Sequence, residues 1–314
     1  MPITANDGGI LDKKNHFFLP MEYISVKEYA AQQNLSERTV RNYCTNGRIE
    51  GAIFVGKTWS IPAGSVVQDK KQRKITFPLL QTLREQKEMH LKGGIYHKTQ
   101  IDLTYNSNHI EGSRLTHDQT RYIYETNTIG ITDDAVSVDD IVETVNHFRC
   151  IDFIIEQAEL KLTETFIKQL HEKLKSSTSD SRKSWFRVGD YKLLPNEVGG
   201  NVTCDPKDVH RQMKQLLQEY NSKKQHSLDD ILDFHCHFES IHPFQDGNGR
   251  VGRLIMFKEC LKNGIVPFII TEELKGFYYR GLQEWTSVRE YLRDTCLTAQ
   301  DNYKDVLDYF KIKY

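Results

Sequence analysis

The sequence lacks any long apolar run. Its most hydrophobic stretch, Ile265 to Ile270, is broken by Pro267 and falls far short of the roughly 20 residues a helix needs to cross a bilayer. Near the N-terminus, Asn6, Asp7 and Gly8 stand where a secretory signal would build its apolar segment, so a soluble, unexported, cytoplasmic protein without a membrane partner is expected. Net charge is also missing: 42 Lys and Arg face 43 Asp and Glu, for a formal charge of −1. That balance excludes a global attraction to nucleic acid or anionic lipid and leaves any such binding to local patches. The six cysteines, Cys44, Cys150, Cys204, Cys236, Cys260 and Cys296, form no C-x-x-C pair, which predicts free thiols in a reducing compartment rather than a disulfide framework. His235, Cys236 and His237 are adjacent. Neighbours on a helix point in different directions, and no second ligand pair stands at zinc-site spacing, so no metal is assigned to them.

What is present divides the chain by composition. With 314 residues and 38% apolar content, it can hold one sizeable domain and a smaller module. Residues 1–19 read as a flexible arm. Residues 20–67 carry a short apolar face at Ile24, Tyr29 and Ala30, a turn at Asn34-Leu35-Ser36, and a second helix from Glu37 to about Tyr43 with Ser36 as its N-cap. Ile53–Val55, Gly56-Lys57 and Trp59–Ile61 then read as strand, turn and strand, closed by Pro62. This is the pattern of a small winged helix-turn-helix. The run Leu35-Ser36-Glu37-Arg38-Thr39-Val40-Arg41 and the hairpin ending Trp59-Ser60-Ile61-Pro62 resemble excisionase-like and MerR-like DNA-binding modules. From Pro20 to Lys74 there are nine Lys or Arg against five Asp or Glu, and Arg38, Arg41 and Lys57 fall where a recognition helix and wing would meet the phosphates of duplex DNA. A protein-docking module with solvated charges fits the same residues. Residues 68–74 read as a charged linker.

Residues 75–314 are mostly helical in pattern. Ser227 with Asp230 three residues on predicts a capped helix start, and Ile231, Phe234, His235, Phe238 and Ile241 recur at helical spacing until Pro243 stops the run. Val251, Leu254, Ile255 and Leu261 define a second helix ending at Asn263-Gly264. Between them lies His242-Pro243-Phe244-Gln245-Asp246-Gly247-Asn248-Gly249-Arg250, followed by Val251-Gly252-Arg253. Gly247 and Gly249 allow close backbone approach, and amides at a helix start attract anions, so the loop reads as a phosphate-binding turn. Arg250 and Arg253, one turn apart, can bind phosphate oxygens through two nitrogens each. Asp246 suits Mg²⁺, a hard cation that prefers oxygen, and His242 can accept a proton near neutral pH.

The segment matches H-P-F-x-[D/E]-G-N-[G/K]-R-x-x-R throughout, the signature of the Fic family, and the resemblance extends over roughly residues 75–290. It implies a mainly helical fold with one β-hairpin, the flap, beside the active site. It further implies ATP as substrate, His242 as the base that deprotonates a target hydroxyl, Asp246 on Mg²⁺, and Gly247, Asn248 and Gly249 as an anion hole. Arg250 would hold the diphosphate side and Arg253 the γ-phosphate. Gly189-Asp190-Tyr191-Lys192, Val198-Gly199-Gly200-Asn201 and Pro206 resemble the flap, which aligns the target by strand pairing, although Cys204-Asp205 stands where a second proline is usual. Tyr278-Tyr279 with Leu282 resembles the adenine-side segment, with Thr286 in place of a frequent asparagine; two core aromatics would give the same pattern. Upstream, Ser107-Asn108-His109-Ile110-Glu111-Gly112 resembles the inhibitory pattern [S/T]-x-x-x-E-[G/N], on a helix near 104–112. By that resemblance Glu111 pairs with Arg253 and occupies the γ-phosphate position, while Ser107 helps to hold the helix.

The expectation is a protein adenylyltransferase that moves AMP from ATP to a Ser, Thr or Tyr hydroxyl of a target protein, autoinhibited by Glu111. Two alternatives stand beside it. One is a hydrolase that uses the same pocket to remove AMP, and the other a DNA-binding regulator whose Fic domain senses nucleotide. A homo-oligomer is left open.

Overall fold

The computed structural model describes residues 22–45, 48–67, 77–130 and 135–314; the expected arm and the 68–74 linker lie outside them. The chain separates into two compact units, one ending near residue 75 and the other running from there to Tyr314.

In the first unit, strand β1 (Tyr23–Ser25) leads into helix α1 (Val26–Gln32), a turn and helix α2 (Glu37–Thr45), followed by strands β2 (Ile53–Val55) and β3 (Thr58–Pro62). Ser25 closes a capping box with Glu28 at the start of α1. Its extended backbone carries the preceding residues along β3, so Ile24 pairs with Ile61 instead of lying on the helical face expected for it. β2 pairs with the other edge of β3 across Gly56-Lys57, giving the order β1-β3-β2. The Ser36 hydroxyl accepts from the Thr39 amide at 3.1 Å, as its position before α2 predicts. Val26, Tyr29, Val40, Cys44, Ile49 and Ile61 make a small core.

The second unit is built on helices α3 (Pro78–Glu88), α4 (Ile95–Ile110), α5 (His117–Thr126), α6 (Val138–Glu156), α7 (Glu164–Lys175), α8 (Pro206–Tyr220), α9 (Leu228–Ile241), α10 (Asn248–Asn263), α11 (Lys275–Gln283) and α12 (Glu290–Tyr309). Among the described residues no helix is long and apolar enough to cross a membrane. α10 is buried along almost its whole length and packs against α6, α7 and α9. A helix enclosed in this way shows little amphipathic pattern, yet its polar residues face specific partners. Ser227 and Asp230 form the expected capping box on α9, a contact of about 1 kcal/mol. Gly264, at φ 70, ends α10 in the left-handed region, where glycine is free of Cβ strain.

Two short strands, β4 (Glu197–Val198) and β5 (Asn201–Val202), form a hairpin. Its turn has φ 57 at Gly199 and φ 79 at Gly200, the two positive values that a tight two-residue hairpin turn demands. Asp205 then caps α8 by accepting from the Lys207 amide, with Pro206 at the first helical position. Cys204-Asp205 therefore takes the chain straight from hairpin to helix, and a second proline is not needed for the exit.

Candidate active site

α9 ends at His242, whose backbone turns left-handed at φ 50 and ψ 63 while its amide still bonds the Phe238 carbonyl. The next residue, Pro243, cannot continue the helix. Phe244 then plunges into the core, fully buried and stacked on His171 at 3.9 Å between ring centres. Its amide and carbonyl are both taken by the Asn248 side chain, at 2.8 and 2.9 Å. Asn248 thus staples the loop, and what it offers an anion is its main-chain N–H. With Gly247 at φ 82 starting α10, the first-turn amides of this helix have no intrahelical acceptor and define an anion-receiving end.

The loop is fixed from two further sides. His171 on α7 accepts from the Gly189 amide and donates to the Asp246 carbonyl. Lys192 anchors the base of the hairpin: its amide donates to the Pro243 carbonyl at 2.9 Å, and its ammonium bonds Asn196 and Thr203 at 2.7 and 2.6 Å. The expected flap is therefore tied to the segment that carries His242.

The two arginines of α10 have separate partners. Arg250 pairs with Glu143 of α6 and, at 3.1 Å, with Asp246. Lys175, at the end of α7 and nearly solvent-free, joins the same group, bonding Asp246 at 2.6 Å and pairing with Glu143 and Asp180. Burial alone would raise the Asp246 carboxyl, but Arg250 and Lys175 outweigh it and hold the group well below the usual carboxylate range. Arg253 turns to α4. It bonds the Ser107 hydroxyl at 3.1 Å, the Ser107 carbonyl at 2.9 Å and the Glu111 carboxylate at 2.7 Å. Glu111 is the C-cap of α4, and Gly112 follows at φ 98. A Cβ on Gly249 would stand 2.3 Å from Glu111 Oε1, so the carboxylate lies directly against the first turn of α10.

His242 is mostly enclosed. Burial, followed by the nearby Lys192 charge, pushes its imidazole down to about 4, so it is neutral at pH 7 and able to take a proton. Beneath it, Glu239 is pushed up to about 8 by burial and by the Glu111 carboxylate, against the pull of Arg253. Of the paired tyrosines, Tyr278 faces the interior and its hydroxyl meets His235 at 2.7 Å. Tyr279 is partly exposed, with its hydroxyl 3.5 Å from the Ile110 carbonyl. Tyr278 thus packs in the core while Tyr279 is the accessible ring of the pair. On α9, His235 is buried and His237 is exposed, on different sides of the helix.

Sequence reasoning missed Glu143, Lys175, His171 and Glu239, and named Lys192 only as part of the flap segment. Lys175 had one usable signal: it lies four residues after His171 on the face that carries Phe166, Ile167, Leu170 and Leu174, and a lysine on a buried face requires anionic partners.

This fold and loop define a helical domain that presents an anion-receiving helix start beside a neutral histidine, with a carboxylate lodged against the same turn. Residues 161–260 match the family model described as the Fic/DOC family, so this segment of the chain is similar to a Fic/DOC domain. Among curated relatives, a protein adenylyltransferase Fic from Drosophila grimshawi is 28% identical over 186 residues, covering 57% of this chain and 36% of that protein. One from Nematostella vectensis is 26% identical over 237 residues, covering 73% and 47%. The chain thus spans less than half the length of these relatives. Solved structures share the fold. A Fic-domain-containing signalling protein from Bacteroides thetaiotaomicron superposes with a TM-score of 0.57 at 23% identity, over 71% of this chain and 91% of that one. Fic-1 of C. elegans, residues 134–508, gives 0.56 at 19%, over 74% and 72%.

Proposed function

We propose that the chain is a protein adenylyltransferase, moving AMP from ATP to a Ser, Thr or Tyr hydroxyl of another protein, with Glu111 holding the reaction off. The observation that carries this reading is the Glu111 carboxylate seated on Arg253 against Gly249, one turn from the helix start and beside His242. A carboxylate there competes with a phosphate for the same guanidinium and the same amides.

When ATP is bound, the first-turn amides of Gly247, Asn248 and Gly249 receive phosphate oxygens, Arg250 faces the diphosphate and Arg253 takes the γ-phosphate in place of Glu111. His242 accepts the proton of the target hydroxyl as its oxygen attacks the α-phosphorus and pyrophosphate leaves. The hairpin at Val198-Gly199-Gly200-Asn201 lines up the target backbone, and Tyr279 borders the adenine. Asp246 fits a magnesium ligand: its carboxylate is held ionised, Lys175 and Arg250 both bind through Oδ2, and the side chain is 48% exposed. Mg²⁺ usually takes one or two carboxylates together with substrate phosphates, and it would supply charge neutralisation there.

The test is incubation of the Glu111→Gly protein with ATP labelled at the α-phosphate, followed by detection of labelled protein. Label should appear on the protein itself and on a target, and His242→Ala in the same background should remove it while ATP still binds. Label that persists without His242 would rule out its role.

A second reading concerns direction. Glu111 acts electrostatically on both His242 and Arg253, so the same carboxylate can hold a water against an AMP-modified hydroxyl. Loss of AMP removal from a pre-modified target on Glu111→Gly would favour it. For residues 20–67 we infer a winged helix-turn-helix that meets duplex DNA, supported by the helix-turn-helix over α1 and α2, the β2–β3 hairpin, and the exposure of Arg38, Arg41 and Lys57. Arg38→Ala with Arg41→Ala should weaken DNA binding on every sequence and flatten its salt dependence.

A further inference from the structure

Three buried polar atoms converge beneath His242 without a hydrogen-bond partner among the described residues: His242 Nδ1, Glu239 Oε1 and His235 Nδ1. They belong to one face of the α9 C-terminal half. Glu239 Oε2 lies 3.8 Å from His242 Nδ1, and Glu239 Oε1 lies 4.0 Å from His235 Nδ1. Unpaired buried polar atoms are costly, so a cluster of them requires a reason. The neighbouring helix makes room for this one. A Cβ on Gly252 of α10 would stand 2.6 Å from Glu239 Oε1 and 2.6 Å from His235 Cε1, so glycine at 252 is what lets the carboxyl lie under the imidazole.

We propose that Glu239 is a positioning residue for His242, its carboxylate receiving the Nδ1–H of the ring once the ring has accepted the target proton at Nε2. The inference rests on the adenylyl-transfer reading. In that step the target O–H bond breaks and its proton goes to Nε2. The oxygen's electron pair forms the new bond to the α-phosphorus, and the bond to the β-phosphate oxygen breaks with its electrons leaving on pyrophosphate. The ring becomes an imidazolium, and the Glu239 carboxylate, 3.8 Å from Nδ1 and beside its own backbone carbonyl, is the anion nearest that nitrogen. An anion at that position orients the ring and stabilises the cation, as the third group of a nucleophile–base–orienter arrangement does.

The charged groups around the pair come from several elements. Glu239 faces His235 and His242 on its own helix, Glu111 from the end of α4 and Arg253 from α10; His242 also feels Lys192 from the hairpin base and Asp246 from the loop. With Glu111 seated, Glu239 keeps its proton at neutral pH, for the causes given above, and is neutral toward His242. Displacing Glu111 removes a negative neighbour from Glu239 and brings its carboxyl down from the position that burial and Glu111 set together. An ionised Glu239 then supplies His242 with the negative neighbour it loses in Glu111 and holds its basicity toward the working pH, where a general base is most effective. The inhibitory carboxylate therefore acts twice, on the phosphate ligand and on the base.

The experiment compares full-length Glu111→Gly with Glu111→Gly/Glu239→Gln, measuring AMP transfer as kcat and KM across pH 5 to 9 and following the His242 imidazole by NMR titration. Glutamine keeps the size and removes the ionisable oxygen. The expected result is a kcat lower by about 10²-fold, an unchanged KM for ATP, a lower His242 titration midpoint and an acid limb moved to lower pH. Gly252→Ala in the same background displaces the carboxyl without altering its charge and should lower kcat in the same way. An unmoved kcat and an unmoved His242 titration overturn the proposal, as does a raised KM with kcat intact. If Glu111→Gly itself transfers no AMP, the adenylyl-transfer reading fails; the NMR midpoint then decides the Glu239–His242 coupling alone, a downward shift supporting it and no shift overturning it.

Discussion

Arg250 and Arg253 are the same residue one helical turn apart, each about 95% enclosed, yet they are held in different ways. Arg250 belongs to a closed group with Lys175, Glu143, Asp180 and Asp246, whose members come from α6, α7, the 3₁₀ turn that follows it and the signature loop. Its counter-ions are shared with the nearly solvent-free Lys175 and come from several elements at once. Arg253 instead meets a carboxylate at the C-cap of α4, at a helix end followed by a left-handed glycine. Helix ends are where local opening costs least. The comparison sets one guanidinium tied to several groups at once against another whose carboxylate partner lies at a helix end, from which we propose it can be withdrawn.

The largest effect should come from breaking the built-in group. Lys175→Met leaves Glu143, Asp180 and Asp246 facing Arg250 with one cation fewer, and removing one partner of a buried ion pair costs about 3–5 kcal/mol. For a unit of this size that lowers the melting temperature on the order of 10 °C, measurable by thermal denaturation. A melting point equal to that of the parent would mean that the group is not structural and would erase the contrast.

Next is the withdrawable pair. Glu111→Gly should raise AMP transfer by about 5- to 150-fold, the ordinary span of a coupling between sites, while changing the melting temperature much less than Lys175→Met. Labelling rate and melting curve taken on one preparation decide this. Equal destabilisation by the two substitutions would place Glu111 among the structural charges.

A pH series sharpens the same picture. Burial pushes His147, His171 and His235 down to about 3 each and His242 to about 4. In the unfolded chain these groups titrate near 6.5, so between there and their folded values the unfolded state binds more protons, and stability falls as pH falls. Their contribution is complete above about 6.5. Glu239 runs the other way: its folded value of about 8 lies above the unfolded one, so its contribution is present at acid pH and lost as pH rises through 8. The melting temperature should therefore peak near pH 6.5, with a steep acid limb from four histidines and a shallow alkaline one, on the order of 1–2 kcal/mol, from Glu239. Glu239→Gln should flatten the shallow limb up to pH 8 and leave the steep one in place.

The parts of this site that were legible in the sequence are those whose chemistry is contiguous. His242 to Arg253 holds base, acid, glycines and arginines within one loop and one turn, where spacing alone brings them together. Ser107 and Glu111 were legible only through their resemblance to the inhibitory pattern upstream of the signature, and both bond Arg253 in the structure. Glu143 and Glu239 were not legible, because each looks like an ordinary polar residue of an amphipathic helix until another helix is packed against it, and Lys175, though it stands on a buried face, shows its partners only once α6 and the loop are packed against it. The same cause hid β1. Three residues leave no periodicity to read, and Ile24 counted equally well toward the helix behind it until β3 supplied a strand to pair with. Tyr278 and Tyr279 were adjacent and alike, and only the position of His235 on α9 decides which ring is buried.

The smallest effect tests whether Ser107 belongs with the gate or with the frame. Its hydroxyl accepts from Arg253 Nε at 3.1 Å, while its carbonyl accepts from Nη2 at 2.9 Å. Ser107→Ala removes the first contact and keeps the second, because the main chain is unchanged. A hydrogen bond to a charged group is worth about 1.5–3 kcal/mol, but Arg253 retains its carbonyl and carboxylate partners, so the net loss should sit at or below the lower end. If the hydroxyl steadies Arg253 in the pose that Glu111 grips, its removal weakens the inhibited state and raises AMP transfer a few-fold, up to about tenfold for 1.4 kcal/mol, below the rise produced by Glu111→Gly. The double variant with Glu111→Gly should add nothing further, because the pose that Ser107 supports no longer inhibits. A drop in transfer from the single variant would instead mean that Ser107 holds Arg253 ready for the γ-phosphate, placing the serine in the productive state and leaving Glu111 as the sole inhibitory contact.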